Sequence, residues 1–473
     1  MPSYNPATEK RPAETWGKGG WVENNLKKLA LCPIFALIGL AGGYFLRSDA
    51  AIPQVALSAA LVLLFFTIHK AIFPARRLFS IGPLFILIVF IYQVFPIIAL
   101  IMNDYNLGIL ADYRLYRIPL TVDLLGQVWQ IQTYITTGFG FTYLAFTTSR
   151  APSPLVSPPD MKPMFRNILI ISGLSYAIAM LILAGDSYAD SYVAIQQLPV
   201  LVAQILNIIW QLFFISLVGF LILSARDREA QFFFAIIIGV GLFYAISETR
   251  TPIILMIFAA LIAYDRYWRR LNLVYLSLFA MALLLGFLIL GLARADAGLN
   301  TLFAQNEFMA IYVTVLDVTV IASSGGANDI GGQLWLSDLM RPIPGQFLPF
   351  EKFDASLWYI TNFYPRAASA GHGYGFSLAA EAALSGGAID GLIRAMALGA
   401  IVVLVVNKLE RKSSIFAQII LIWLFCFVYL SFRDSTFTLV PRFIFQVLPA
   451  LALIYTYRAL TLPASGKFAR TDI

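Results

Sequence analysis

Cysteine and histidine are almost missing from this chain, which has two of each among 473 residues. Cys32 and Cys426 both fall inside apolar runs, where the expected form is a buried thiol, and a disulfide framework is excluded. No group of His, Cys, Asp and Glu has metal-ligand spacing, so no metal and no cofactor is expected. The first outer connection, "LRSDAAIP", is short and holds no acidic pair of the kind that carries metal in many lipid-sugar transferases. No P-loop and no dinucleotide fingerprint occurs either. The energy for any chemistry is therefore expected to arrive with the substrate. Charge is scarce too: 12% of residues are charged, against about 25% in an average soluble domain.

What the chain has instead is apolar surface, with 59% hydrophobic residues. A spanning helix needs roughly 20 apolar residues. Such runs lie near 29–46, 51–68, 82–102, 124–147, 167–184, 199–224, 232–247, 252–264, 273–293, 388–407, 415–432 and 436–457. The expected fold is an all-α polytopic membrane protein with about twelve transmembrane helices. Its parts are a tail at 1–28, helices 1–9 over 29–293, a large external loop at 294–387, helices 10–12 over 388–457, and a second tail at 458–473. The basic flank of the first run does not make it a cleaved leader, because the apolar stretch is long enough to stay in the membrane.

Basic residues orient these spans. With the N-terminus inside, the inner segments hold 22 of the 33 Lys and Arg, in strict alternation along the chain, from Lys10, Lys27 and Lys28 to Arg458 and Arg470. The net charge of +7 is thus a topology signal, and nucleic acid is not an expected partner. The few outer basic residues include Arg250, Arg294, Arg341, Lys352, Arg366, Arg394, Arg433 and Arg442. Orientation does not account for them.

Several of these charges are recessed. Between inner Arg228 and inner Asp265 lie 36 residues, fewer than the roughly 40 that two full crossings take. The tip "ISETRTPIIL" carrying Glu248 and Arg250 is therefore expected below the outer headgroups, as an ion-paired turn or as part of a site. In "SFRDSTFTLVPR" (431–442), Arg442 falls nine residues after Arg433, about two turns into the last span. Two readings stand: a structural pair of Arg442 with Asp434, or convergence of Arg250, Arg433 and Arg442 on one anionic ligand. Guanidinium forks suit phosphate oxygens. Pro441 disfavours helix at Val440, so an unwound helix start there would bring Arg433 and Arg442 together.

The long outer loop reads as a folded cap. It opens with the amphipathic "NEFMAIYVTVLDVTVIASS", continues through "LMRPIPGQFLPF", and ends in "SLWYITNFYPRAASAGHGYGFSLAAEAALSGGAIDG". Its aromatic and amide groups suit either sugar binding or a membrane-interface belt. Residues 376–385 are expected as a short interfacial or re-entrant helix, broken at Gly386-Gly387. His372, between two glycines, is a candidate general base or an incidental exposed histidine.

Four stretches, "ETRTPII" (248–254), "DLMRPIPGQFLP" (338–349), "GHGYGFSLAAEAALSGGAIDG" (371–391) and "SFRDSTFTLVPRFIF" (431–445), together with the span count and one late external loop, give the C-terminal half a resemblance. It resembles the bacterial oligosaccharide repeat-unit polymerases of the Wzy O-antigen type, in a layout similar to the enterobacterial common antigen polymerases. The resemblance implies a GT-C-like, metal-independent glycosyltransferase in the bacterial inner membrane, with its active site facing the periplasm. It implies a growing glycan on undecaprenyl pyrophosphate as donor and a lipid-linked repeat unit as acceptor. Membrane lipids and a chain-length regulator protein are the further partners it implies. On this reading Arg250, Arg294, Arg341, Arg433 and Arg442 hold pyrophosphate, and Glu248, Asp434 and His372 are the candidate catalytic groups. Two other readings share the topology. An O-antigen ligase uses the same donor with a different acceptor. A lipid-linked oligosaccharide flippase would spread its charges through midplane helices, whereas here they gather at one face.

Overall fold

A computed structural model describes residues 18–48, 51–74, 80–102, 118, 120–148, 161–183, 198–224, 251–268, 307–327, 330–369 and 375–461. Glu248, Arg250, Arg294 and His372, and the expected spans 232–247 and 273–293, lie outside the described residues.

The described chain is helical, with no strand. The first seven helices are α1 (Lys18–Phe45), α2 (Ala51–Ile72), α3 (Ile81–Met102), α4 (Val122–Phe146), α5 (Met161–Leu183), α6 (Val200–Leu223) and α7 (Thr251–Ala263). The late loop supplies α8 (Glu307–Ser323), α9 (Ile330–Leu339), α10 (Ala355–Phe363), α11 (Pro365–Ser369) and α12 (Leu378–Ser385). The C-terminal bundle adds α13 (Gly387–Glu410), α14 (Ile415–Arg433) and α15 (Leu439–Thr461). Among the described residues, eight helices are long and apolar enough to cross a bilayer: α1 from Glu23, α2, α3, α5, α6, α13, α14 and α15. That is the pattern of a multi-pass membrane protein.

Helix α4 is long enough to span but is polar, and its polarity is turned inward. Gln130, Gln132, Thr133, Thr136, Thr137 and Thr142 are all buried. It lies at the centre, packed on α1 and most extensively on α13. Small residues permit that approach. Gly391, Ala395 and Gly399 recur every four residues on α13, and a Cβ at Gly138 of α4 would sit 2.6 Å from the carbonyl oxygen of Leu392. Helices in lipid associate through such close backbone packing, because lipid tails are already as apolar as leucine.

Contacts at helix ends fix the directions. At one end Lys28 donates to the carbonyls of Thr147 (2.5 Å) and Ala145 (3.3 Å), closing the C-terminus of α4. There too Asn407 donates to Phe146 O (2.9 Å) and accepts from the Thr148 backbone N–H, while Arg266 meets Glu410 at 3.8 Å. So α4 and α13 run parallel and α1 runs against them. At the other end Arg47 pairs with Asp123 at 3.0 Å. The first end carries the basic segments expected inside; the opposite end carries Asp390, Arg433 and Arg442.

Two features differ from the sequence reading. Helix α8 was expected to be amphipathic and part of an outer cap. It is instead buried around most of its circumference, from Met309 to Ile321, against α3, α4 and α12. Its apolar positions are too numerous for one face, and the bundle surrounds them. The second difference concerns Arg442. The last helix starts at Leu439 rather than 436, after a turn at 434–438, so Arg442 sits in its first turn and not two turns deep. Pro441 fits there, because the first N–H groups of a helix have no intrahelical acceptor to lose. A π turn at Phe443–Val447 follows, just ahead of Pro449, whose ring cannot sit on the carbonyl of Phe445.

The break at Gly386-Gly387 is where the sequence places it. Helix α12 is capped by Ser377, whose hydroxyl accepts the Ala380 N–H. It stops at Gly386, and α13 begins at Gly387 with φ +65. That left-handed conformation favours glycine. The short helix α12 is buried from Leu378 to Leu384, so it lies within the bundle and not on its rim.

Candidate functional site

The turn at 434–438 joins two polar networks. One is deeply buried. Arg394, on α13, has a side chain 0% exposed and donates from Nη1 to Asp338 and from Nε to Asp390, both at 2.5 Å. Its Nη1 also lies 3.5 Å from Glu381, and its guanidinium carbon sits 4.4 Å from the ring centroid of Trp335. Trp335 in turn donates its indole N–H to Asp390 at 2.7 Å. Arg341 bonds Asp338 at 2.8 Å, reaches Glu381 at 3.4 Å, and donates to the Ser435 hydroxyl at 2.5 Å. Glu381 accepts from both the backbone N–H (2.9 Å) and the hydroxyl (2.6 Å) of Thr436. Arg341 therefore spends its fork on protein partners.

This network holds three carboxylates and two guanidiniums, so it is neutral only with one extra proton. Burial, followed by the charge of Asp338, raises the Glu381 carboxyl above the ordinary carboxylate range, although Arg394, Arg341 and Thr436 oppose the shift. The sign of the pH dependence follows. A carboxyl that binds its proton more tightly folded than unfolded contributes stability that is complete below its unfolded value and is lost as pH rises through the folded one. Glu381→Gln mimics the protonated form. Its thermal midpoint in detergent should match wild type in mild acid and exceed it increasingly toward neutral pH and above. A parallel pH dependence in both proteins would rule out Glu381 as the proton holder.

The second network is open to solvent. Arg433 ends α14 and forms an ion pair through Nε with Glu307 at 2.5 Å, with its Nη1 3.6 Å from Asp434. Arg442 donates to the other oxygen of Asp434 at 3.1 Å. The buried Tyr92 of α3 donates its hydroxyl to Glu307 at 2.9 Å. Its side chains are 28% exposed for Arg433 and Asp434, 34% for Arg442 and 42% for Glu307, against 0–10% for Arg394 and its three carboxylates, with Arg341 between at 25%. Of the residues singled out from sequence, the structure brings together Arg433, Asp434 and Arg442, and sets Arg341 beside them through Ser435.

Sequence reading missed Glu307, Asp338, Glu381, Asp390 and Arg394 as site residues. Glu307 opens the stretch read as an amphipathic cap, and the three network carboxylates are spread over 53 positions with no fixed spacing. The one available signal was Arg394 itself, an arginine inside an apolar run, where an ionisable residue implies a partner. A further buried node braces the loop: Asp317 of α8 accepts from the hydroxyls of Tyr359 (2.6 Å) and Tyr364, tying α10 to α8.

Among the described residues no cluster of His, Cys, Asp and Glu is arranged to hold a metal ion. The arrangement offers two guanidiniums at facing helix ends, held by a carboxylate between them, with a second carboxylate alongside. Guanidinium forks suit oxyanions, and here two carboxylates already balance them. No family model, no curated protein and no solved structure matches this chain.

Proposed function

We propose that this chain is a polysaccharide polymerase, a glycosyltransferase of the GT-C-like kind. It transfers a growing glycan from undecaprenyl pyrophosphate onto a lipid-linked repeat unit at the outer face of the bacterial inner membrane. The observation that carries the reading is the placement of Arg433 and Arg442 on either side of Asp434, at the non-basic end of the bundle and partly open to solvent. A pyrophosphate anchored by a prenyl chain presents its oxygens at that depth. Two guanidiniums there would stabilise the charge that builds on the leaving group, which is electrostatic catalysis by fixed cations. Asp434 orients both forks. The apolar outer faces of the spanning helices are suited to the prenyl chains.

The test is the surface glycan of a strain lacking the gene, complemented with wild type or with Arg433→Ala. A polymerase leaves glycans of a single repeat in the deletion strain, wild type restores the ladder, and the variant does not. Unattached full-length polymer in the deletion strain would replace this reading with an O-antigen ligase. Complete loss of surface glycan would replace it with a flippase.

A further inference from the structure

The open network is electrically balanced as it stands: Arg433 and Arg442 against Asp434 and Glu307. A pyrophosphate brings negative charge to a site with no positive charge to spare. One carboxylate must leave. Asp434 is held by both arginines and follows Arg433 directly in the chain, at the end of α14. Glu307 is the most exposed of the four at 42%, and an exposed ion pair is weak enough for a more highly charged ligand to displace. Its contacts are also one-sided. Arg433 Nε is ion-paired with Oε1 and Tyr92 donates to the same oxygen, and among the described residues Oε2 accepts no hydrogen bond. A carboxylate with one oxygen anchored and the other bare is shaped to accept a proton.

From this we infer that Glu307 is the proton acceptor of the reaction, held on Arg433 at rest and released when the pyrophosphate takes its place. The inference rests on the polymerase reading above. In the step, the acceptor hydroxyl oxygen forms a bond to the anomeric carbon of the donor sugar. The bond from that carbon to the pyrophosphate oxygen breaks, and its electron pair leaves with undecaprenyl pyrophosphate. The hydroxyl proton passes to Glu307 Oε2. The departing pyrophosphate gains one negative charge, which Arg433 and Arg442 hold. Tyr92 is a positioning residue: its hydroxyl fixes Oε1 while Arg433 is occupied by the ligand.

Glu307→Gln separates the two halves of this claim, because it removes the charge and keeps the shape. The probe is farnesyl pyrophosphate, titrated into the purified full-length chain in detergent, with turnover read as glycan chain length in the complemented deletion strain. The variant should bind the probe roughly three- to tenfold more tightly than wild type, since the competing ion pair is gone. It should lose polymerisation by about a hundredfold or more, the usual contribution of a positioned base. Glu307→Asp should recover part of the turnover. Binding that stays unchanged or weakens overturns the inference, and so does wild-type polymer length in Glu307→Gln. If neither protein binds the probe, the polymerase reading fails along with it. Wild-type binding that depends on Arg433 but is not tightened by Glu307→Gln sinks this inference alone.

Discussion

Replacing Arg394 by leucine should remove most of the folded protein. The side chain is fully buried, inside a spanning helix, with Asp338 and Asp390 bonded to it and Glu381 within 3.5 Å. Leucine leaves Asp338 and Glu381 sharing the single guanidinium of Arg341 and leaves Asp390 with no cation, held only by Trp335 and Ser385. Breaking a buried ion network by deleting one partner costs about 3–5 kcal/mol, because the remaining charge is stranded. That is a large part of the roughly 5–15 kcal/mol that holds a domain folded. Arg394→Lys should fall between, since an ammonium keeps the charge but cannot span Asp338 and Asp390 with separate nitrogens. The measurement is the yield of monodisperse protein and its unfolding midpoint in detergent. A leucine variant as stable as wild type would mean that the network contributes nothing to folding. The contrast with Arg433 is useful, because the partly exposed Arg433 should tolerate alanine with little loss of fold while losing function.

How much of this was legible in the sequence depends on whether the signal was local. Eight of the twelve expected spans were legible because about twenty apolar residues need no partner to declare themselves. The break at Gly386-Gly387 was legible because glycine takes the left-handed backbone the break uses at Gly387, although Gly42-Gly43 and Gly331-Gly332 stay within helices. The start of α15 was not legible from Pro441, because Val440 is helical and Pro441 sits in the first turn of a helix that begins at Leu439. The buried character of α8 was not legible. "EFMAIYVTVLDVTVIAS" is apolar on most of its faces, but shortness and scattered polar groups made it read as a surface element, and only the surrounding α3, α4 and α12 explain why Asp317 and Thr314 are inside. The Arg394 network was hidden for a related reason. Asp338, Glu381 and Asp390 meet only because α9, α12 and α13 converge, and no spacing in a linear chain encodes that. Arg433 and Asp434 stood out because charges at the edge of an apolar run are costly. Glu307 did not, because it precedes its apolar run and looks like an ordinary helix start.

The turn "SFRDSTFTLVPR" is where the functional claim is most exposed to test. Arg442→Ala should lose polymer and weaken binding of farnesyl pyrophosphate, with the chain still folded, because Arg442 is partly open to solvent and belongs to no buried network. The ion-pair explanation makes the same prediction for the single variant: Asp434 would lose a partner and the turn would loosen. The double variant Arg442→Leu with Asp434→Leu divides them. It leaves Arg433 paired with Glu307 at 2.5 Å and Ser435 and Thr436 still bonded to Arg341 and Glu381. Every remaining charge then has a partner, and a pair replaced by apolar residues is often neutral for stability. If Arg442 serves only to neutralise Asp434, glycan length should return in the double variant. If Arg442 grips phosphate, the double variant should fold as well as wild type, bind the probe as poorly as Arg442→Ala, and make single-repeat glycan. Arg442→Lys sharpens the outcome: it keeps a charge beside Asp434 but lacks the planar fork, so phosphate recognition through two parallel bonds should fail where simple neutralisation succeeds. Full-length polymer from the double variant would end the phosphate reading of this turn and leave Arg442 as half of a structural pair.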